Sequence, residues 1–199
     1  MRILRTFMVI ALLNPVFEVW SFQSQEDTWY LGKIKLKDGT TLSGRISYRL
    51  KYNVLMHKNK GKIKTYTANL VEYFDVQDKD FKETKRYHSI PVKIRENTIV
   101  PEFFEVIIRG DMTLLKRQVQ VRKKMGKRTV VSMVDRFFYM DESGVVQKLV
   151  TTKKNILQLM NSHAREVSEF MEDLDLNPNK SSHLKQLFIF YNTLNQSSG

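Results

Sequence analysis

From Trp29 onward, apolar and polar positions alternate with a period of two. In GKIKLKDGTTLSGRIS, Ile34, Leu36, Leu42 and Ile46 point one way, while Lys33, Lys35, Lys37 and Arg45 point the other. That period belongs to strands with one wet face. Asp38-Gly39 at the centre suits a tight turn needing positive φ, so the segment reads as a hairpin. Short apolar or aromatic runs follow at 53–56, 62–67 and 71–76, with Lys58-Asn59-Lys60-Gly61 as a turn. Closely spaced short strands with polar turns predict a small antiparallel sheet or partly closed barrel. Residues 77–85 are polar and read as a loop or short helix, and 87–94 as a further strand.

A second block of alternation follows Pro101. Strands are expected at 103–108, 113–121, 128–134, 136–140 and 145–149, forming a second β-meander. Gly110, Met125-Gly126 and Glu142-Ser143-Gly144 mark its turns. After Thr151 the period changes to about 3.6. Thr152 can cap a helix carrying Ile156, Leu157, Leu159 and Met160. Val167, Phe170, Met171 and Leu174 make one stripe on the next, and Asn177-Pro178-Asn179 breaks it. Ser181 or Ser182 opens a last helix with Leu184, Leu187, Phe188, Tyr191 and Leu194, and 196–199 reads as a frayed tail. Strands first and helices last is an α+β arrangement: a β module over 22–95, the second meander over 96–150, and two to three helices over 151–195 packing on the sheet.

The first 21 residues have a different character. Arg2 and Arg5 are followed by the apolar run TFMVIALL, then Pro15 and the exit Val19-Trp20-Ser21. Charged start, short apolar core and small-x-small exit describe a secretory signal peptide over 1–21, the alternative being a buried helix. The run is well short of the ~20 residues that span a bilayer. The expected mature chain starts near Phe22 and has no transmembrane segment. Its expected place is an extracytoplasmic compartment.

Composition narrows the function. The chain has 199 residues, 42% hydrophobic and 27% charged, which suits a folded protein rather than a disordered one. There is no Cys, so disulfides, thiolate metal sites, cysteine nucleophiles and lipidated cysteines are excluded. The formal net charge of +12 predicts attraction to polyanions.

That charge is concentrated. Residues 33–64 hold ten Lys or Arg against Asp38, and residues 112–136 hold eight against Asp135. The two segments carry +9 and +7, leaving −4 for the rest. Alternation sends most of these cations to the solvent side. The candidate anion-binding residues are Lys33, Lys35, Lys37, Arg45, Lys62 and Lys64 in the first segment. In the second they are Arg122, Lys123, Lys124, Lys127 and Arg128. The expected partner is a polyanion (glycan or lipid headgroup) or an acidic protein. Nucleic acid is the weakest of these, since no RNA- or DNA-binding motif is present. The competing account is that lysines on wet faces keep the protein soluble and block edge-to-edge pairing.

Catalytic constellations do not assemble. His57, His88, His163 and His183 show neither HExxH nor HxH spacing. His163 and His183 lie on neighbouring expected helices, where a shared metal is conceivable and separate polar roles are simpler. No GxSxG elbow or phosphate loop exists. The acids Glu166, Glu169, Glu172, Asp173 and Asp175 have helical spacing and no central glycine, so they read as a solvated face. Glu102 and Glu105 flank Phe103-Phe104 as a weak acid–base pair. That pair of rings and Phe137-Phe138 place one aromatic on each face of the sheet, packing the core or the helices, or lining a groove for a partner. No cofactor or metal is expected.

The order of these features resembles a group of exported bacterial proteins of the Gram-negative envelope with no known activity. The matching residues are Asp38-Gly39, Leu42, Gly44, Ile46 and Tyr48; Phe103 to Val106, Gly110 and Leu114-Leu115; Phe138-Tyr139 and Gly144; and Tyr191-Asn192. The resemblance implies a Gram-negative envelope location, in the periplasm or at the outer-membrane periphery if not outside the cell, and supplies no catalytic residue. The expectation is a non-catalytic envelope binding module using its basic hairpins. An adaptor using the aromatic sheet face and C-terminal helices is the alternative, and an enzyme with a dispersed site stands behind both.

Overall fold

The structure, a computed structural model, describes residues 28–77, 84–95, 98–126 and 128–197. The expected signal segment, most of the polar loop after residue 77, and Lys127 lie outside these residues.

Ten strands form one antiparallel sheet: β1 (Tyr30–Leu36), β2 (Thr41–Arg49), β3 (Val54–Asn59), β4 (Lys62–Thr67), β5 (Val71–Gln77), β6 (Thr84–Arg95), β7 (Thr98–Ile108), β8 (Thr113–Met125), β9 (Arg128–Met140) and β10 (Val146–Lys148). Their order is β10-β9-β8-β7-β6-β5-β1-β2-β3-β4, so β4 and β10 are the edges of an open sheet. The two blocks of alternation are joined in one ladder, because β6 pairs with β5 on one side and β7 on the other. Three helices follow, α1 (Lys153–Leu159), α2 (Ala164–Asp173) and α3 (Ser181–Ser197), giving the expected α+β arrangement.

Local chemistry explains most boundaries. Gly39 takes φ +90 in the β1–β2 turn, and the Asp38 carboxylate accepts the Thr40 N–H at 2.8 Å. The Thr152 hydroxyl accepts the Asn155 N–H and caps α1. Several boundaries differ from the sequence pattern: β3 runs through Lys58-Asn59, expected in a turn, β6 begins at Thr84 and β8 continues to Met125. β7 begins at Thr98 and runs through Pro101, which lies opposite Pro91 of β6. Pairing of β6 with β5 ends at His88, and pairing of β7 with β8 begins at Glu105. Neither proline therefore has a second strand neighbour needing its missing N–H. β9 is one strand rather than two, with Asp135 in register with Gln118. Leu174 lies beyond α2 and is exposed, while α3 continues through Gln196.

Three apolar clusters hold the sheet. Ile34, Ile46, Leu55, Phe74 and Phe103 centre the one over β1–β5. Leu114, Phe137 and Tyr139 meet Ile156, Val167, Leu184 and Phe188 of the helices in the second. Ile90, Phe104, Leu115 and Phe138 form the third with Val146, which packs across from β10 onto β6. The adjacent aromatics do split between faces: Phe103 joins the first cluster and Phe104 the third, Phe138 the third and Phe137 the helical one.

Candidate functional site

Pairing between β7 and β8 is confined to residues 114–116 of β8, whereas β8 and β9 stay paired from Thr113–Met140 out to Met125–Arg128. Residues 117–125 and 128–136 form a ribbon whose strands, among the described residues, pair only with each other. At ~3.3 Å per residue it reaches about 30 Å. Val119, Val121, Val130, Val131 and Val134 favour the extended backbone, and Gly126 at φ +61 turns the tip. Directly paired residues share a face, so each side of the tip carries a cation beside an apolar group: Lys123 opposite Val130 on one face, Arg122 opposite Val131 on the other. Arg122, Lys123, Lys124 and Arg128 are all exposed, and none enters an ion pair among the described residues.

The ribbon is rooted in a charged seam. Lys116 and Arg117 are consecutive and point to opposite faces. The Lys116 ammonium meets Glu105 at 3.0 Å and Asp135 at 3.8 Å. Arg117 donates to the Glu102 carboxylate and lies 5.9 Å over the Phe104 ring. Its Nε is buried with no hydrogen-bond partner among the described residues. Glu102 and Glu105, weighed as an acid–base pair, thus occupy opposite faces of β7 and bind different cations.

Beside this root, a cleft of about 100 Å³ is lined by Tyr48, Leu50, Tyr87 and Phe103 together with Glu105, Lys116 and Asp135. Burial pushes the Tyr48 phenol up to about 12, with Arg117 pulling the other way. Burial also pushes Tyr87 up, assisted by the negative charge of Glu105. Neutral phenols and paired charges suit holding the ribbon against β2 and the 3-10 turn at Leu50–Tyr52. The sequence pattern did not single out this seam, because Lys116, Arg117 and Asp135 look there like further charges on a wet strand.

The first basic segment divides in two. Lys33, Lys35 and Arg45 share one face, since Leu31 is in register with Arg45 and Lys33 with Ser43. Lys37 is exposed in the adjoining turn. Lys62 and Lys64 of the edge strand project from the opposite side, because Lys64 pairs with His57, which pairs with Ile46 of the buried face. The Lys33 face also holds Asp75, in register with Lys33 and gripped by Arg86 at 2.7 and 2.8 Å. Arg86 lies 4.3 Å over Tyr73, and Tyr73 contacts His88. That arginine–tyrosine–histidine row was not foreseen, since its residues are distant in sequence from the lysine runs.

The histidines are dispersed. His57 is buried and bonded to the Ser43 carbonyl, His163 packs on Tyr191, and His183 Nδ1 accepts the Asn177 N–H. Among the described residues, no three His, Asp or Glu side chains gather in a metal-binding group. A shallow groove of about 360 Å³ runs between β10 and α1, lined by Tyr139, Leu149, Val150, Asn155 and Gln158. No helix among the described residues is long and apolar enough to cross a membrane.

No protein-family model matches the chain, and no curated protein or solved structure is significantly similar to it.

Proposed function

We propose that the protein is an exported, non-catalytic binding module of a bacterial cell envelope that engages polyanionic surfaces through its basic hairpins. The observation that carries this reading is the ribbon tip, where four exposed cations stand without a carboxylate partner among the described residues. The stretch from Lys116 to Val134 contains no acid, so the field at the tip is of one sign. Lys33, Lys35 and Arg45 offer a second, weaker surface, weaker because the Asp75 carboxylate lies within it. Beyond the seam both strands of the ribbon have an unpaired outer edge among the described residues, so edge protection competes for the same cations, and the salt dependence below separates the two accounts.

Export rests on the charged, apolar and small-residue pattern of 1–21. Location in the periplasm or at the outer-membrane periphery follows from the family resemblance. The finer reading, a partly closed N-terminal barrel and a second meander, draws its support from Ile34, Ile46, Leu55 and Phe74 of β1–β5 packing as one cluster. The adaptor alternative draws its support from the valines left exposed on the ribbon.

Salt-dependent retention on immobilised heparin tests the reading. Retention should fall steeply with salt, and Arg122→Gln, Lys123→Gln, Lys124→Gln and Arg128→Gln combined should flatten that dependence more than Lys33→Gln, Lys35→Gln and Arg45→Gln. Retention unchanged in both variants would reduce the cations to solubility chemistry. A partner held from envelope extract at high salt would favour the adaptor.

A further inference from the structure

We infer that the β8–β9 ribbon enters an anionic lipid surface tip first, with its apolar side chains in the interfacial layer and its cations among the headgroups. The inference rests on the polyanion reading and names the anion.

The tip is not only basic. Met125 is 67% exposed, Val131 49% and Val130 43%. Val130 and Val131 are adjacent, so they face opposite sides of the ribbon, and each has a cation as its cross-strand partner. A soluble polyanion has no use for apolar groups on both faces, because its contacts are charge contacts. A protein surface would cover one face and leave the other valine in water. A lipid interface surrounds an inserted ribbon on all sides. Lysine and arginine stems can lie along the valines while their charges reach outward to phosphate. Outside the seam the ribbon has no strand neighbour among the described residues that such insertion would displace.

The test uses the full chain, wild type and variants carrying the same N-terminus, with vesicles of phosphatidylcholine alone or with phosphatidylglycerol added. Met125→Ser, Val130→Ser and Val131→Ser together keep every cation. They should weaken binding to anionic vesicles on the order of tenfold while leaving heparin retention unchanged. A Met125→Trp reporter, corrected for the native tryptophans, should shift to the blue and be quenched by brominated acyl chains only on anionic vesicles. Unchanged vesicle affinity in the triple serine variant, or an unquenched reporter, overturns insertion. So does self-association through the tip, seen as ribbon variants that change oligomeric state and not vesicle binding. Retention on heparin without any vesicle binding would leave the polyanion reading standing and remove the lipid one. If the four-glutamine variant keeps both heparin and vesicle binding, the polyanion reading itself falls.

Discussion

The side-chain amide of Asn192, near the end of α3, pairs with both backbone groups of Met112 in the β7–β8 turn. Its oxygen accepts the Met112 N–H at 3.0 Å and its nitrogen donates to the Met112 carbonyl at 3.0 Å. Both residues are buried, so these bonds satisfy groups that water does not reach. Asn53 does the same for β7, accepting the Phe103 N–H at 3.3 Å and donating to the Pro101 carbonyl at 3.1 Å. Two asparagines thus supply the complementary edge that a neighbouring strand would otherwise give.

Replacing Asn192 with Leu should cost about 2–4 kcal/mol, since two buried backbone groups lose their partners while volume is kept. Gly110 belongs to the same joint: a Cβ there would lie 2.3 Å from the Asn192 amide nitrogen. Gly110→Ala alone should therefore destabilise by overpacking, typically about 1–3 kcal/mol. Combined with Asn192→Ala it should cost clearly less than the sum of the single changes, because the smaller side chain removes the clash. Denaturant unfolding of the wild type, Gly110→Ala, Asn192→Ala and the double variant measures this, and simple additivity would show that Gly110 and Asn192 act apart.

Alkaline pH should loosen the cleft. Tyr48 ionises ordinarily near 10 and in the folded chain near 12, chiefly because it is buried. Below pH 10 both states hold the proton and its contribution is fully present. Between 10 and 12 the unfolded chain loses the proton first, and stability falls by about 2–3 kcal/mol. Tyr48→Phe should flatten this fall while retaining the ring contacts with Phe74 and Phe103, at 5.4 and 5.5 Å. Unfolding free energy against pH is the measurement, and an unchanged slope in Tyr48→Phe would place the alkaline loss elsewhere.

Acid acts through His88. Its Nε2 accepts a hydrogen bond from Arg109 at 2.8 Å, and burial followed by the charges of Arg109 and Arg86 holds its pKa below the ordinary 6.5. Asp75 and Glu72 pull weakly the other way. The unfolded chain therefore takes up the proton first as pH falls. Stability supplied by the neutral ring is complete above 6.5 and is lost on acidification through the folded value. His88→Gln keeps an acceptor for Arg109 and should reduce the acid slope just below pH 6.5. Imidazole titration by NMR should place His88 below the exposed-histidine range, and a normal midpoint would remove the argument.

What could be read along the chain was the period and the punctuation. Gly39, Gly61 and Gly126 announced their turns because positive φ favours glycine. Thr152 announced α1 because an N-cap is a local event. Neighbour relations were not legible. Alternation tells which face of a strand is wet but not which strand lies beside it, so nothing in the two blocks told that β6 would join them in one ladder. The ribbon hid for the same reason: Val119, Val121 and Val134 have the spacing of any half-buried strand, and only the short β7–β8 pairing sets residues 117–136 apart. Gly44 was visible in the hairpin motif, but its reason was not. A Cβ there would come within 2.7 Å of the His57 ring, from a strand not yet reached in the sequence. The basic face was legible as composition and only half legible as geometry, because Lys62 and Lys64 leave the sheet on the other side.

The Arg117–Glu102 pair fixes where the ribbon leaves the sheet, and it should be more costly to break than to replace. Both side chains are mostly buried, at 15% and 26% exposure. Arg117→Met strands the Glu102 carboxylate in the seam beside Phe104 and should cost about 3–5 kcal/mol. Glu102→Gln in the same chain removes the stranded charge, so the double variant should recover a large part of that loss. Hydrogen exchange separates a local effect from a global one. In the double variant, protection should drop along residues 117–136 while Leu184, Leu187 and Phe188 of α3, packed in another cluster, keep theirs. Equal loss across ribbon and helices would mean that the pair stabilises the whole sheet, and the ribbon would then not be a separately hinged element. Lys116, held by Glu105 and Asp135 on the opposite face, is the reason to expect partial rather than complete release: the second pair remains when the first is removed.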